Sequence, residues 1–323
     1  MRSLIQAVHD KYDDDDEDVS SSELVMFVHV PRTTRRQRLP SVLVLDHCNI
    51  DSVGDEESLS STCSDVRELD LSNNQISGWK EVIKLINCLP KLSFLNLSNN
   101  ILGGSLIDSP SFTSFFPSLT TLILNRVGME WDNLVPYLGY IPNLEALHLS
   151  LNEMKTPSDN TEIKFPKVTT LHYDGNCVEH RDHLSWISQN FPSLKSLVLC
   201  DCPLWTLRWN SSTQKIIQVQ EIQSNGSSSE SGSEGSQIFP HCDGDGQSNC
   251  CYRLPDDHST PDVLFPNLHS ISLNNCIIDC WEELDQLRQF PSLLELRLQS
   301  CPLFQVQVLQ ITIKFVVQVA EQV

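Results

Sequence analysis

The chain has 323 residues, of which 40% are hydrophobic and 20% charged. This composition favours a folded protein with a sizeable core over a disordered one. The 42 acidic residues outnumber the 22 basic ones and give a formal charge of −20, which would repel phosphate backbones and anionic lipid surfaces. We therefore expect neither a nucleic acid nor a membrane partner, and no apolar run approaches the roughly 18 residues needed to span a bilayer.

Residues 1–38 are predicted to be an N-terminal lead that includes a cap for the first structural unit. This segment contains an acidic run, Asp13 to Asp18, and a basic cluster between Arg32 and Arg38. It has no long apolar stretch typical of a secretory signal. We therefore expect a cytoplasmic protein whose twelve cysteines are reduced thiols.

A repeated phrase dominates residues 39–205 and returns at 263–304. Its clearest copy runs from Leu89 to Asn100 and matches the leucine-rich consensus L-x-x-L-x-L-x-x-N/C. The first apolar residue of each copy is Leu43, Leu69, Leu95, Leu122, Leu147, Leu171, Leu197, Ile271 or Leu296. Successive intervals are 26, 26, 27, 25, 24, 26, 74 and 25 residues. The spacing predicts an α/β leucine-rich-repeat solenoid, or horseshoe, of about nine repeats.

Each repeat is predicted to form a strand, a turn and a helical return. In Leu95-Asn96-Leu97 the leucines should point inward and Asn96 outward, because side chains alternate along a strand. Five residues after the first apolar residue, eight of the nine copies carry Asn or Cys, which can bond the turn backbone or fill space there. The helical returns, two of which begin at Trp79 and Trp281, should end before a recurrent Phe-Pro pair.

Residues 206–262 interrupt the array with a polar Ser/Gly-rich segment, which predicts a flexible, disordered insertion. Its His241, Cys242, Cys250, Cys251 and His258 match no common zinc spacing. The Asp243-Gly244-Asp245 stretch resembles the start of a calcium loop, but Leu254 stands where the loop needs Glu. We therefore predict no metal or other cofactor. Residues 305–323 form a short β-branched tail.

The outward strand positions of the repeats define a candidate protein-binding surface on the concave face. His148 and His172 occupy equivalent positions in adjacent repeats and should be neighbours there. No phosphate loop, nucleophile elbow or paired-His metal motif is found, so we expect no enzyme activity. The predicted contact residues are Glu68, Asp70, Asn96, Asn125, His148, His172, Asp174, Asn274 and Arg297.

Several phrases resemble the tubulin-folding-cofactor-E-like family, which is related to tubulin-specific chaperone E. They include Leu39 to Cys48, Arg67 to Asn74, Leu147 to Glu153 and Phe265 to Leu273. The resemblance implies a cytoplasmic, cytoskeleton-associated monomer that binds α-tubulin or the tubulin heterodimer and regulates tubulin stability and microtubule mass.

The same resemblance implies a C-terminal ubiquitin-like domain that couples binding to turnover. The tail from 305 does not match such a domain, so we expect binding without that step. The alternative is a generic adaptor or regulatory subunit that binds another protein, and an enzyme ranks third.

Overall fold

The computed structural model describes residues 2–12, 39–102, 116–155, 164–208 and 263–304, together with the backbone of 311–314. The described residues belong to one compact unit. The acidic run, the basic cluster, the insertion beyond Arg208 with its zinc and calcium candidates, and most of the tail lie outside the described residues.

A ten-stranded sheet runs through the repeats. Its strands are β2 Val42–Val44, β4 Glu68–Asp70, β5 Phe94–Asn96, β6 Thr121–Ile123, β7 Ala146–His148, β8 Thr170–His172, β9 Ser196–Val198, β10 Ser270–Ser272, β11 Glu295–Leu298 and β12 Ile311–Lys314. They lie side by side in chain order, those from β2 to β11 pair in parallel, and β12 pairs antiparallel to β11. One parallel strand per predicted repeat confirms the leucine-rich-repeat solenoid.

Two positions per repeat, most of them leucine, build the core. The central strand residue and the residue two positions later are buried in every repeat, as Leu95 and Leu97 illustrate. Burying each such side chain contributes about 1.5–3 kcal/mol. Because one repeat cannot cover its own apolar side, adjacent repeats stack into one core cluster that extends from Leu4 to Cys301.

The Asn and Cys positions form a buried ladder in the turns after the strands. The amide of Asn100 donates to the carbonyl oxygens of Leu71 and Leu97, both at 2.9 Å, and its Oδ1 accepts the backbone N–H of Ile76 at 3.0 Å. In later repeats a thiol takes this place, and Cys276 Sγ donates to the Leu199 carbonyl oxygen at 3.1 Å. These side chains satisfy backbone groups that water cannot reach.

The helical returns pack behind the sheet. They are α2 Glu56–Thr62, α3 Trp79–Cys88, α4 Trp131–Leu138, α5 Arg181–Asn190, α6 Trp281–Leu284 and a following 3-10 turn Asp285–Gln289. No helix in the described ranges is long and apolar enough to cross a bilayer. Trp79 and Trp131 are buried, but Trp281, which begins the four-residue helix α6, is 53% exposed.

Asp279 and Glu282 have the sequence spacing of a capping box, but they do not form one. The residue that precedes α6 is Cys280, and no side chain caps this helix. Helix α2 has a single side-chain cap, in which Asp55 accepts the backbone N–H of Ser58 at 3.0 Å. A reciprocal pair precedes the first helix, where the Gln6 N–H donates to Ser3 Oγ at 3.4 Å and the Ser3 N–H donates to Gln6 Oε1 at 3.0 Å. A spacing that suits a capping box therefore produces one only if the helix begins directly after the first residue of the pair, and α6 begins one residue later.

The first repeat is covered by residues 2–12. Strand β1, Arg2–Ser3, pairs in parallel with β3, Ile50–Ser52, and helix α1, Leu4–Tyr12, buries its apolar side on the repeat. At the edge strand, Lys11 Nζ donates to the Val44 carbonyl oxygen at 2.6 Å, and the Val44 N–H donates to the Tyr12 hydroxyl at 3.0 Å. The cap thus occupies backbone groups that an edge strand would otherwise expose.

The array continues directly across the insertion. Strand β9 pairs with β10 in register, with Leu197 opposite Ile271. Residues 206–208, which the sequence assigns to the insertion, pack within the array. The buried carboxylate of Glu283 accepts the Leu207 N–H at 2.7 Å and the Thr206 hydroxyl at 3.0 Å, and pairs with Arg208 Nε at 2.8 Å.

Candidate concave binding surface

The first and third residues of each three-residue strand point away from the core and form what we call the strand face. The parallel register aligns them into two rows across the sheet. The first row is Val42, Glu68, Phe94, Thr121, Ala146, Thr170, Ser196, Ser270 and Glu295. The third row is Val44, Asp70, Asn96, Ile123, His148, His172, Val198, Ser272 and Arg297.

The structure places none of the nine predicted contact residues in the core. Six lie in these two rows: Glu68, Asp70, Asn96, His148, His172 and Arg297. The other three, Asn125, Asp174 and Asn274, lie in the turns two residues after the third row. Glu68 and Asp70 share a strand, and His148 and His172 lie on adjacent strands. The nine predicted contact residues as a whole are spread along the sheet and do not form one cluster.

Several of the predicted contact residues are engaged inside the fold. Ser150 donates its N–H to Asn125 Oδ1 at 2.8 Å and its hydroxyl to Asp174 Oδ2 at 2.8 Å. The Cys200 N–H donates to Asp174 Oδ1 at 2.9 Å. These bonds link successive turns, so Asn125 and Asp174 have a structural role in addition to any contact role.

Asp70 and Asn96 are engaged more locally. Asp70 Oδ1 accepts the N–H of Ser72 at 2.8 Å, and Asn96 Oδ1 accepts the N–H of Ser98 at 3.0 Å and its hydroxyl at 2.7 Å. An Asx side chain that bonds the backbone two residues later is a common turn device. The Asx-x-Ser spacing of both repeats could have revealed this role in the sequence.

His148 and His172 are neighbours, as their equivalent positions predict. The residues pair in register on β7 and β8, and their rings stack with centroids 4.0 Å apart and planes 6° apart. Burial lowers the pKa of His148 to about 4, with a further lowering by His172 and an opposing effect of Asp174. His148 is therefore neutral near pH 7.

The centre of the strand face carries no charged side chain. From β6 to β9, the two rows contain Thr121, Ile123, Ala146, His148, Thr170, His172, Ser196 and Val198, which we call the uncharged strip. Charge appears on either side of it. Glu68 and Asp70 lie on β4, and Glu295 on β11 pairs with Arg297 Nε at 2.8 Å.

The described side chains do not assemble into a metal or nucleophile site. Within the described ranges, no group of three or more His, Cys, Asp or Glu could hold a metal ion. The cysteines of those ranges are free thiols. Burial raises the pKa of Cys63 to about 11 and that of Cys202 to about 12, which disfavours the reactive thiolate.

The chain matches one family model of a repeat, and it is similar in sequence to several known proteins. The family model described as Leucine Rich Repeat matches residues 65–84. The tubulin-specific chaperone cofactor E-like protein of Homo sapiens is 33% identical over 286 residues, which cover 87% of this chain and 56% of that protein. The tubulin-specific chaperone E of Bos taurus is 34% identical over 157 residues, covering 49% of this chain and 29% of that protein.

Solved structures of similar architecture include internalin C2 from Listeria monocytogenes, with 18% identity, a TM-score of 0.45 and 80% of each chain covered. The chain spans just over half the length of the cofactor E-like relative from Homo sapiens, at 56%. The resemblance of the repeats to cofactor-E-like proteins, expected from phrases such as Arg67 to Asn74, is confirmed by the match to the cofactor E-like protein of Homo sapiens.

Proposed function

This chain is a leucine-rich-repeat homologue of the tubulin-specific chaperone cofactor E-like proteins, and on that premise we propose that it binds tubulin and regulates tubulin stability and microtubule mass. The observation that carries the proposal is the 33% identity over 286 residues, most of this chain, to a protein named for tubulin. The partner is α-tubulin or the tubulin heterodimer. The protein acts as a cytoplasmic, cytoskeleton-associated monomer.

The strand face is the proposed contact surface. Hydrogen bonds between repeats hold its strands in register, so the surface is preorganised and little order has to be gained on binding. Interface cores are depleted of charged residues, and the uncharged strip has that character in a chain with a net charge of −20. We propose binding without catalysis, because the described groups offer a contact surface and no activated nucleophile.

A matched pair of substitutions tests this surface. Thr170→Glu adds a carboxylate in the middle of the uncharged strip, whereas Gln189→Glu adds one on the exposed side of α5. We expect the first to weaken binding of purified tubulin heterodimer at least about tenfold, because a buried unpaired charge is costly in an interface. The second should leave the affinity within about twofold of wild type, since an exposed charge contributes little.

The regulatory part of the proposal needs a cellular measurement. Expression of the wild-type chain should change the soluble tubulin pool and the microtubule mass, and Thr170→Glu should reduce that effect in parallel with its affinity. Recovery of another cytosolic protein in place of tubulin, with purified tubulin failing to bind, would favour the adaptor function instead.

A further inference from the structure

The stacked histidine pair occupies the centre of the uncharged strip. His148 and His172 are the fifth and sixth of the nine residues in the third row, and they lie between Ile123 on β6 and Val198 on β9. Because the ring faces contact each other at 4.0 Å, the ring edges remain for polar contacts. Among the described residues neither ring forms a hydrogen bond, and both side chains are partly exposed.

The surroundings of the pair favour an acceptor group over a cation. Asp174 is the carboxylate that influences His148, but its two oxygens already accept the Ser150 hydroxyl and the Cys200 N–H. The flanking row residues are aliphatic, and the thiol of Cys200 on the β9 side has its pKa raised by burial. Each neutral imidazole carries one N–H donor, and a carboxylate is the strongest acceptor available in a protein partner.

We propose that His148 and His172 together bind a carboxylate of the partner, and that this contact takes up one proton from solvent. The inference rests on the proposed function, in which the partner is tubulin. In the free protein, burial and the neighbouring His172 ring disfavour a charge on His148. A partner carboxylate at the ring edges compensates one imidazolium, so the pair binds as an imidazolium and carboxylate ion pair with a neutral ring beside it.

Proton uptake fixes the sign of the pH dependence. The histidine that takes up the proton has a higher pKa in the complex than in the free protein. The affinity for the partner therefore rises as the pH falls through the pKa that this histidine has in the complex. It becomes constant only below the pKa of the free protein, which for His148 is about 4. Uptake of one proton gives at most about a tenfold gain in affinity per pH unit.

The test measures binding of purified tubulin heterodimer to the full chain at pH 7.5, 6.8 and 6.0, at constant ionic strength. Titration calorimetry in two buffers of different ionisation enthalpy gives the number of protons taken up. The variant His148→Gln/His172→Gln keeps amide donors and acceptors but does not titrate in this range. His269→Gln, at an exposed position before β10, is the matched control for loss of a histidine.

We expect wild type and His269→Gln to bind more tightly at pH 6.0 than at pH 7.5 and to take up about one proton. The double variant should lose the proton uptake and bind about tenfold more weakly at pH 6.0. Far-UV circular dichroism and thermal melting establish that it is folded, and His172→Gln alone provides a milder variant with the same expected direction.

Three results would overturn the inference, and they can be distinguished from one another. If wild type binds tubulin and the folded double variant binds with the same affinity and pH dependence, the histidine pair is not the contact, and the proposed function stands. If wild type fails to bind tubulin at all three pH values, the proposed function fails and this inference fails with it. Affinity that rises with pH would also contradict a carboxylate contact.

Discussion

Replacing Asn100 with alanine should destabilise the array more than a typical substitution. The Asn100 side chain is 1% exposed and makes three short hydrogen bonds, two donated to the carbonyl oxygens of Leu71 and Leu97 and one accepted from Ile76. A typical intramolecular hydrogen bond contributes about 1 kcal/mol, and a buried group left unpaired costs about 1–3 kcal/mol. The expected loss in the free energy of unfolding is therefore about 3 kcal/mol.

A second asparagine provides the control for the Asn100 prediction. Asn267 donates one hydrogen bond to the Pro192 carbonyl oxygen at 3.0 Å in an exposed setting. Asn267→Ala should cost less than about 1 kcal/mol, because water can replace that bond. The comparison separates the effect of burial from that of losing an amide.

The assay combines urea unfolding with hydrogen exchange. Urea denaturation followed by circular dichroism gives the global change, and exchange at the Ile76 amide reports the local one, because repeat arrays can open in parts. Faster exchange at Ile76 should accompany the loss in stability. A change below about 1 kcal/mol with unaltered Ile76 exchange would refute the view that this ladder stabilises the turns.

Three further predictions concern other parts of the fold. Glu283→Ala should cost about 3 kcal/mol in urea unfolding, since it leaves buried donors and Arg208 unpaired, whereas a loss below about 1 kcal/mol would contradict the anchoring role. Tyr12→Phe removes a hydrogen bond in an exposed setting, so it should cost less than about 1 kcal/mol but speed exchange at the Val44 amide, and unchanged exchange would show that the hydroxyl does not protect this edge. Burial raises the pKa of Cys63 to about 11 and of Cys202 to about 12, so both thiols should resist alkylation at pH 8 in the folded protein. All twelve cysteines should react after denaturation without reductant, and a count of ten or fewer would reveal disulfides.

The recurrence of leucines predicted the architecture because each repeat solves the same packing problem. A strand with buried residues such as Leu95 and Leu97 repeats every 24 to 27 residues outside the insertion, and only stacking in parallel register buries all copies at once. Equivalent positions therefore become neighbours. This is why the adjacency of His148 and His172 could be predicted from the sequence, and why the array could be followed across residues 206–262.

Sequence period alone could not determine what each outward side chain contacts. It assigned Asp174 to a binding surface, but the neighbouring Ser150 and Cys200 engage both of its oxygens. It placed Trp79 and Trp281 alike at the start of a helical return, but Trp79 is buried, whereas Trp281 begins a helix of only four residues and is exposed. Hydrogen bonds and burial depend on the residues that adjacent repeats present and on the backbone path between them, and those are properties of the assembled array.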